Sequence, residues 1–399
     1  MGFVGVRYPR RFHTPLVPLI EGLESRLLLS ADLSAALGNV TVAGKSAATT
    51  RIVPGDYVQV ELLLTNVGDQ NAIGRFGVEL FGSADTALDG LDELMTAPST
   101  RYAYVRPGQT VRHLFSLSIP TDATPGDYYL IARITPEATV GDANAANDVA
   151  ASLAPARLRW MSGMVDGRQV VLRLSEDDGT GLLLQVVNGT AELTPNPGGA
   201  PDLAVTGTTA YSSVMALMTA RGADGVFALG NVNFDSAVGT VMMSSLSIGG
   251  DLHAPGGARV LYLGNLNAAA HQTVALGSSP LIASTMIMGG RFRNVQIDSD
   301  TALSMLRLGE WLDDDATADR LTAPSLGTLY VLSSPVTGAS GNFQADLVLG
   351  RPGPAQPLNF ASIGGQLSQG LWDVGGRAGT ITAGSIAADW RANFTGSLI

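Results

Sequence analysis

Val238-Gly239-Thr240-Val241, Leu326-Gly327-Thr328-Leu329 and Ala378-Gly379-Thr380-Ile381 are one four-residue phrase written three times. A longer phrase, Leu246-Ser247-Ile248-Gly249-Gly250-Asp251-Leu252, returns as Ala361-Ser362-Ile363-Gly364-Gly365-Gln366-Leu367, and Met286-Ile287-Met288-Gly289-Gly290 repeats its centre. Between these phrases no stretch keeps a helical period for long. Short apolar triplets separated by glycines suit the stacked coils of a parallel β-helix. Each coil supplies two or three strands of a few residues, inward side chains stack on those of the next coil, and glycine makes the corners. No coil buries its face alone, so the neighbours supply the core. This reading predicts an irregular β-solenoid over residues 158–399. A second β-sandwich or a propeller-like array is the alternative, and the lack of evenly spaced aromatic signatures counts against blades. Val170-Val171-Leu172-Arg173-Leu174 and Leu182-Leu183-Leu184-Gln185-Val186-Val187 are expected to pair as a hairpin through Asp177-Asp178-Gly179-Thr180-Gly181. Trp311-Leu312-Asp313-Asp314-Asp315 is expected as a loop inserted between coils.

Upstream, the period changes. Pro54-Gly55-Asp56 is a turn that launches Tyr57-Val58-Gln59-Val60-Glu61-Leu62-Leu63-Leu64-Thr65-Asn66. Val58, Val60, Leu62 and Leu64 share one face, which is the period-two alternation of a half-buried antiparallel strand. Phe76, Val78 and Leu80 repeat it, as do Val111, Phe115, Leu117 and Ile119 after the turn Pro107-Gly108. Pro120 ends that run because it cannot donate to a ladder. Pro125-Gly126-Asp127 then opens Tyr128-Tyr129-Leu130-Ile131-Ala132-Arg133-Ile134. Short strands punctuated by Gly/Pro turns predict an immunoglobulin-like sandwich over 32–152, with residues 153–157 as a linker. The fold class expected for the whole chain is all-β.

The order of these pieces resembles CARDB, an adhesion-related domain of bacteria. The matching anchors are Pro54-Gly55-Asp56 before the long strand, Thr65-Asn66-Val67-Gly68 at its close, the segment from Ser83-Ala84-Asp85 to Leu94, Thr124-Pro125-Gly126-Asp127-Tyr128-Tyr129-Leu130, and the asparagine-rich ending Asn144-Ala145-Ala146-Asn147-Asp148. The resemblance implies a non-catalytic Ig-like module. Residues 1–31 read as a leader. Leu23-Glu24-Ser25-Arg26-Leu27-Leu28-Leu29-Ser30-Ala31-Asp32 resembles the LEPR-XLL leader of large repetitive bacterial surface proteins, with Ser25 where that pattern carries proline. Glu21, Glu24, Arg26, Pro15 and Pro18 interrupt what a secretory signal would keep apolar. The glycine-rich tract resembles the repeat regions of planctomycete surface proteins, above all at Leu203-Ala204-Val205-Thr206-Gly207-Thr208-Thr209-Ala210 and Gly384-Ser385-Ile386-Ala387-Ala388-Asp389-Trp390.

Composition narrows the function. The chain has 399 residues and no cysteine, so disulfides and thiolate metal sites are excluded. Lys+Arg 24 against Asp+Glu 35 gives a net charge of −11, and Lys45 is the only lysine. That balance repels phosphate backbones, so nucleic acid is not an expected partner. With 45% hydrophobic and 15% charged residues, the chain is not generally disordered. No apolar run approaches the roughly 18 residues of a membrane helix.

Reactive constellations are not evident. A serine triad needs a nucleophile, a base and an orienting carboxylate, but the only histidines are His13, His113, His253 and His271, and there is no G-x-S-x-G elbow. His113 sits in an alternating strand, and His253 and His271 sit in loop-like settings without partner spacing. Gly44-Lys45-Ser46 lacks the earlier glycine of a phosphate loop, because position 39 is Asn39. Gly179-Thr180-Gly181 is a turn, since Leu184 stands where a dinucleotide fingerprint has its third glycine. Acids crowd two probable loops: Asp85, Asp89, Asp92 and Glu93, and Asp313, Asp314 and Asp315. Solvated turns are the expected reading, with weak calcium binding the alternative. Asp224, Asp235, Asp251, Asp298 and Asp300 share no offset that would align them as in a glycan-cleaving enzyme. No catalytic, cofactor or metal residue is therefore assigned, and no cofactor is expected.

The function expected is non-catalytic: a secreted or cell-surface structural and adhesion-type protein with distributed contacts to an extracellular protein or polysaccharide surface. The alternative is a polysaccharide-binding or polysaccharide-degrading β-helix protein. The last residues, Phe394-Thr395-Gly396-Ser397-Leu398-Ile399, read as mid-repeat text. They carry the further expectation of a truncated product or of self-association through the solenoid end.

Overall fold

The computed structural model describes residues 30–95, 98–334, 338–350 and 356–396. The leader expected over 1–31, with His13, lies outside the described residues apart from Ser30 and Ala31.

The first module is a sandwich of two sheets. One runs, in spatial order, Lys45–Ser46, Leu33–Val42, Tyr57–Asn66 and Thr110–Ser118. The other is centred on Ala72–Ser83 and Gly126–Pro136, with Ser99–Val105 and Glu93–Leu94 beyond the former. Val58, Val60, Leu62 and Leu64 are fully buried and meet Phe76, Val78 and Leu80 of the opposite sheet in one core. The alternation in the sequence is thus the inward and outward sides of these strands. Ala156–Leu158 also belongs here. It pairs antiparallel with Gly126–Tyr128 and parallel with Arg51–Ile52, so the second sheet continues through the end of the segment expected as a linker.

Two residues later Trp160 starts the second module. Residues 160–220 form an antiparallel sheet, in the order Gly199–Thr206, Thr190–Asn196, Trp160–Val165, Arg168–Ser175, Gly181–Val187 and Ser213–Ala220. The expected hairpin is present, with Leu172 opposite Leu184. The expectation of solenoid coils from residue 158 is corrected: parallel stacking starts only where the two outer strands of this sheet meet Val232–Phe234 and Val238–Ile248. An edge strand offers a row of free N–H and C=O groups, and here the two edges template the coils.

The coils present three parallel faces around one core. On the first face the inward rungs are Val214, Val241, Leu261, Ile287, Leu306, Leu329, Ala361 and Ile381. The second face stacks Leu229, Ile248, Leu266, Phe292, Trp311, Phe343 and Leu367. The third stacks Leu203, Val232, Leu252, Val274, Ile297, Leu321, Leu347 and Trp372. All of these residues are buried. Edge-to-face aromatic contacts run through the later coils, from Phe292 to Trp311 (5.7 Å), Trp311 to Phe343 (5.5 Å), Phe343 to Trp372 (5.9 Å) and Trp372 to Trp390 (5.5 Å). Such pairs add roughly 0.5–1.5 kcal/mol each beyond burial.

Backbone approach between coils explains the repeated glycines. A Cβ on Gly239, Gly327 or Gly379 would lie 2.7 Å, 2.5 Å or 1.9 Å from a carbonyl oxygen of the coil below. Gly250, Gly290 and Gly365 would meet Oδ1 of Asn231, Asn265 and Asn342, in each case at 2.5–2.6 Å. Those three asparagine oxygens accept the amides of Asp251, Arg291 and Gln366, the residues after the glycines. A polar side chain from one coil thereby caps the corner of the next.

Candidate functional site

Three regions hold the polar groups from which a site could be built: the junction of the modules, the acidic clusters, and a groove along the solenoid.

At the junction, Arg168 makes a fork to Asp56, with Nη1–Oδ1 and Nη2–Oδ2 both 2.6 Å, and Nη2 also donates to the Arg51 carbonyl. Asp166 accepts from the Arg51 amide (2.6 Å) and guanidinium (2.8 Å), while Lys45 Nζ donates to the Asp166 carbonyl (2.7 Å). Trp160 Nε1 donates to the Ala123 carbonyl at 2.8 Å. Asp56 and Asp166 both sit in tight turns, so the sequence signals for turns also place the ionic partners. Bidentate geometry fixes orientation as well as distance.

The loop acids Asp85, Asp89 and Asp92 accept the amides of Ala87, Leu91 and Asp89, which makes them caps of their own turn, and the loop is mostly exposed. Asp235 and Asp251 accept the amides of Gly207 and Thr273 in neighbouring coils, and Asp224 accepts that of Val226. Asp298 accepts from Gln296 Nε2. These acids do not converge on one another, although Asp224 meets Asp178 and Glu176, where burial first, then the two aspartates, raises Glu176. Two further clusters that spacing did not reveal converge as well. Asp32, Asp142 and Asp148 meet at one end of the sandwich, where burial first, then Asp142 and Asp32, pushes the Asp148 carboxyl up to about 6.

In the solenoid, His271 lies in the strand Ala258–Leu276, outside any loop, and its Nδ1 is 3.5 Å from Asp315 Oδ2 and 3.6 Å from Asp319 Oδ1. Asp319 is fully buried and its Oδ2 accepts the Trp311 indole N–H at 2.7 Å. Burial, with Asp313 and Asp315 adding repulsion, pushes the Asp319 carboxyl up to about 7 against the Trp311 hydrogen bond. Burial also raises Asp313. The expectation of a loop from Trp311 is corrected: Glu310–Leu312 is a strand with Trp311 a rung of the second face, and the insertion starts at Asp313, covers one buried carboxyl and ties the aromatic stack to it. Among the described residues no group of three or more His, Asp or Glu is arranged to hold a metal ion. His113 packs edge-on to Phe76, and burial, with Arg101 second, holds its imidazole below the usual range. His253 points outward from the third face.

The groove, of about 970 Å³, follows the corner between the first and second faces. Successive coils line it with Ser244–Ser247, Tyr262–Asn265, Met288–Arg291, Arg307–Gly309 and Leu332–Ser334, and Met218 and Arg221 close one end. Arg291 Nε lies 2.9 Å from Glu310 Oε1. Among the described residues Arg221 and Arg307 make no ion pair, and no aspartate or glutamate lines the groove.

Comparison with solved structures finds CARDB domains. The crystal structure of the CARDB domain of a Pyrococcus furiosus protein, in complex with di-metal ions, is 15% identical over 33% of this chain and 94% of its own, with a TM-score of 0.23. The solution structure of that domain gives 17%, 32%, 95% and 0.23. A β-glucosidase from Listeria innocua, in complex with isofagomine, matches at 13% identity over 32% of this chain and 16% of its own, with a TM-score of 0.21. No protein-family model matches the sequence, and no curated protein matches it. No helix among the described residues is long and apolar enough to cross a membrane.

Proposed function

We propose that this chain is a non-catalytic structural and adhesion-type protein of the cell exterior, in which a CARDB-like sandwich is mounted on a rigid solenoid. The observation that carries the reading is the junction. The sandwich ends in the strand Ala156–Leu158, the solenoid module begins at Trp160, and Val53 of the first module packs in the core of the second. With the Arg168–Asp56 fork across it, the two modules behave as one stiff body. From Val214 to Ile381 there are seven strand-to-strand steps, a rise of about 34 Å at the usual interstrand spacing. The acids are mostly committed to holding turns and coil corners, which suits a scaffold better than a reaction centre.

Fractionation of cells, with mass spectrometry of the mature N-terminus, tests this reading. The chain is expected at the cell exterior. Recovery of an intact N-terminus only from the cytoplasm would overturn it.

A further inference from the structure

The groove between the first and second faces is a surface that the scaffold reading leaves without a use. Its floor is backbone and short side chains for a reason internal to the fold. A Cβ on Gly264 would lie 1.9 Å from the Leu246 carbonyl oxygen, so the corner cannot carry bulk. Each coil adds another copy of that corner about 4.8 Å further along the axis. The result is a line of backbone groups repeated coil after coil, with serine hydroxyls at 244–247 and 333–334 and the Asn265 and Asn267 amides set along it. A compact metabolite would touch one or two of these positions, whereas a chain molecule lying along the axis meets them all.

Charge selects the class of chain. The protein carries a net charge of −11, yet among the described residues Arg221 and Arg307 in the groove make no ion pair and no carboxylate lines it. Guanidinium forks match carboxylate oxygens in pairs. Tyr262, Met288 and Arg307 stand side by side on adjacent coils of the first face. The half-buried tyrosine ring and thioether there offer an apolar surface to a flat ring. A peptide strand would need a free backbone edge to extend, but these coils are already paired with a coil on either side. A nucleic acid and a uronate chain meet the same net charge of −11, and the oligo-dT arm of the test separates the two.

The geometry points to a binding groove for a linear acidic polysaccharide built of uronate units, held without cleavage by its carboxylates on Arg221 and Arg307 and its rings over Tyr262 and Met288. This deepens the exterior-scaffold reading and rests on it only in that an exterior location brings such a polymer within reach.

The test is affinity electrophoresis and calorimetry of the full chain with polygalacturonate, neutral dextran and an oligo-dT strand. Binding to polygalacturonate alone is expected, weakening as salt rises. The double variant Arg221→Glu/Arg307→Glu is expected to lose about tenfold or more in affinity. Arg75→Glu/Arg157→Glu, which changes net charge equally on the sandwich, should leave it unchanged. Far-UV circular dichroism and a thermal melt verify that each variant is folded. Absence of polygalacturonate binding, equal loss in both double variants, or equally tight binding of dextran would overturn the inference. So would preferential capture of oligo-dT lost in Arg221→Glu/Arg307→Glu, which would assign the groove to nucleic acid. A surface-located chain that fails to bind removes the groove inference alone, while a cytoplasmic chain that binds removes only the scaffold reading.

Discussion

Asp319→Asn isolates the buried carboxyl beneath the Asp313–Asp315 insertion. In the folded chain burial pushes this group from the 3.8 of a free aspartate up to about 7. Between those values the folded state holds a proton that the unfolded state has released. A raised carboxyl therefore contributes stability that is full at low pH, declines as pH rises from about 4 to about 7, and changes no further above that. Asparagine keeps an oxygen for the Trp311 indole N–H (2.7 Å to Asp319 Oδ2) and carries no charge toward Asp313 or Asp315. Groups remote from this cluster are common to parent and variant, so the difference between the two reports Asp319 together with the acids beside it. From pH 5 to pH 8 the variant should gain on the parent by two pH units' worth of linkage, roughly 2–3 kcal/mol at about 1.36 kcal/mol per unit. All four tryptophans, Trp160, Trp311, Trp372 and Trp390, lie in the second module, so urea unfolding followed by tryptophan fluorescence at the two pH values reads that module, with Trp160 at its junction. A gap between variant and parent that stays constant or narrows from pH 5 to pH 8 would refute the argument that Asp319 is held neutral by burial.

Three further outcomes follow from the packing. Arg168→Ala strands Asp56 at the junction and is expected to destabilise by about 1–3 kcal/mol; faster proteolytic nicking between the modules is the readout, and an unchanged rate would count against a rigid joint. Gly264→Ala forces a Cβ onto the Leu246 carbonyl, a strain of roughly 1–3 kcal/mol, whereas Gly90→Ala, with open space around it, should leave the melting temperature alone. Because the acids of the 85–93 loop cap their own amides, millimolar calcium is expected to cause no shift in melting that depends on them. A calcium-induced rise abolished by Asp89→Asn would make them ligands.

The sandwich was legible because its strands alternate cleanly: Val58, Val60, Leu62 and Leu64 were identifiable as inward from period two alone, and all are buried. The solenoid was legible in kind but could not be phased. The phrases at Val238, Leu326 and Ala378 do fall at one position, since Val241, Leu329 and Ile381 are rungs of the first face. The Gly-Gly phrases do not. Gly289-Gly290 and Gly364-Gly365 turn from the first face to the second, but Gly249-Gly250 turns from the second to the third. Both corners face the same steric demand, so the same residues solve both, and the sequence carries no mark of which corner is meant. The step between first-face rungs also varies, from 19 residues between Ile287 and Leu306 to 32 between Leu329 and Ala361. That is why His271 could not be matched with Asp315 and Asp319 by counting. The antiparallel sheet was missed although its hairpin signal was present: Asp166 and Gly167 both take positive φ between Trp160–Val165 and Arg168–Ser175, as a two-residue hairpin turn requires.

Corner length also decides where a surface site can form. Every inward position must match its neighbours above and below, which leaves apolar identity little freedom along the three stacks. Length differences are therefore absorbed at the corners, as at residues 313–319 between the second and third faces. The corner between the first and second faces behaves otherwise. Over three successive coils it is cut to Gly264, to Gly289-Gly290 and to Gly309. Longer connections bracket this run, from Ala220 to Ala228 before it and from Val331 to Phe343 after it. Short corners between long ones make a trough with two ends, with Arg221 on the connection at one end and Arg307 on the outward side of a first-face strand near the other. The core thus sets the stiffness of the rod, while the lengths of the connections around it set where a chain-like ligand can lie.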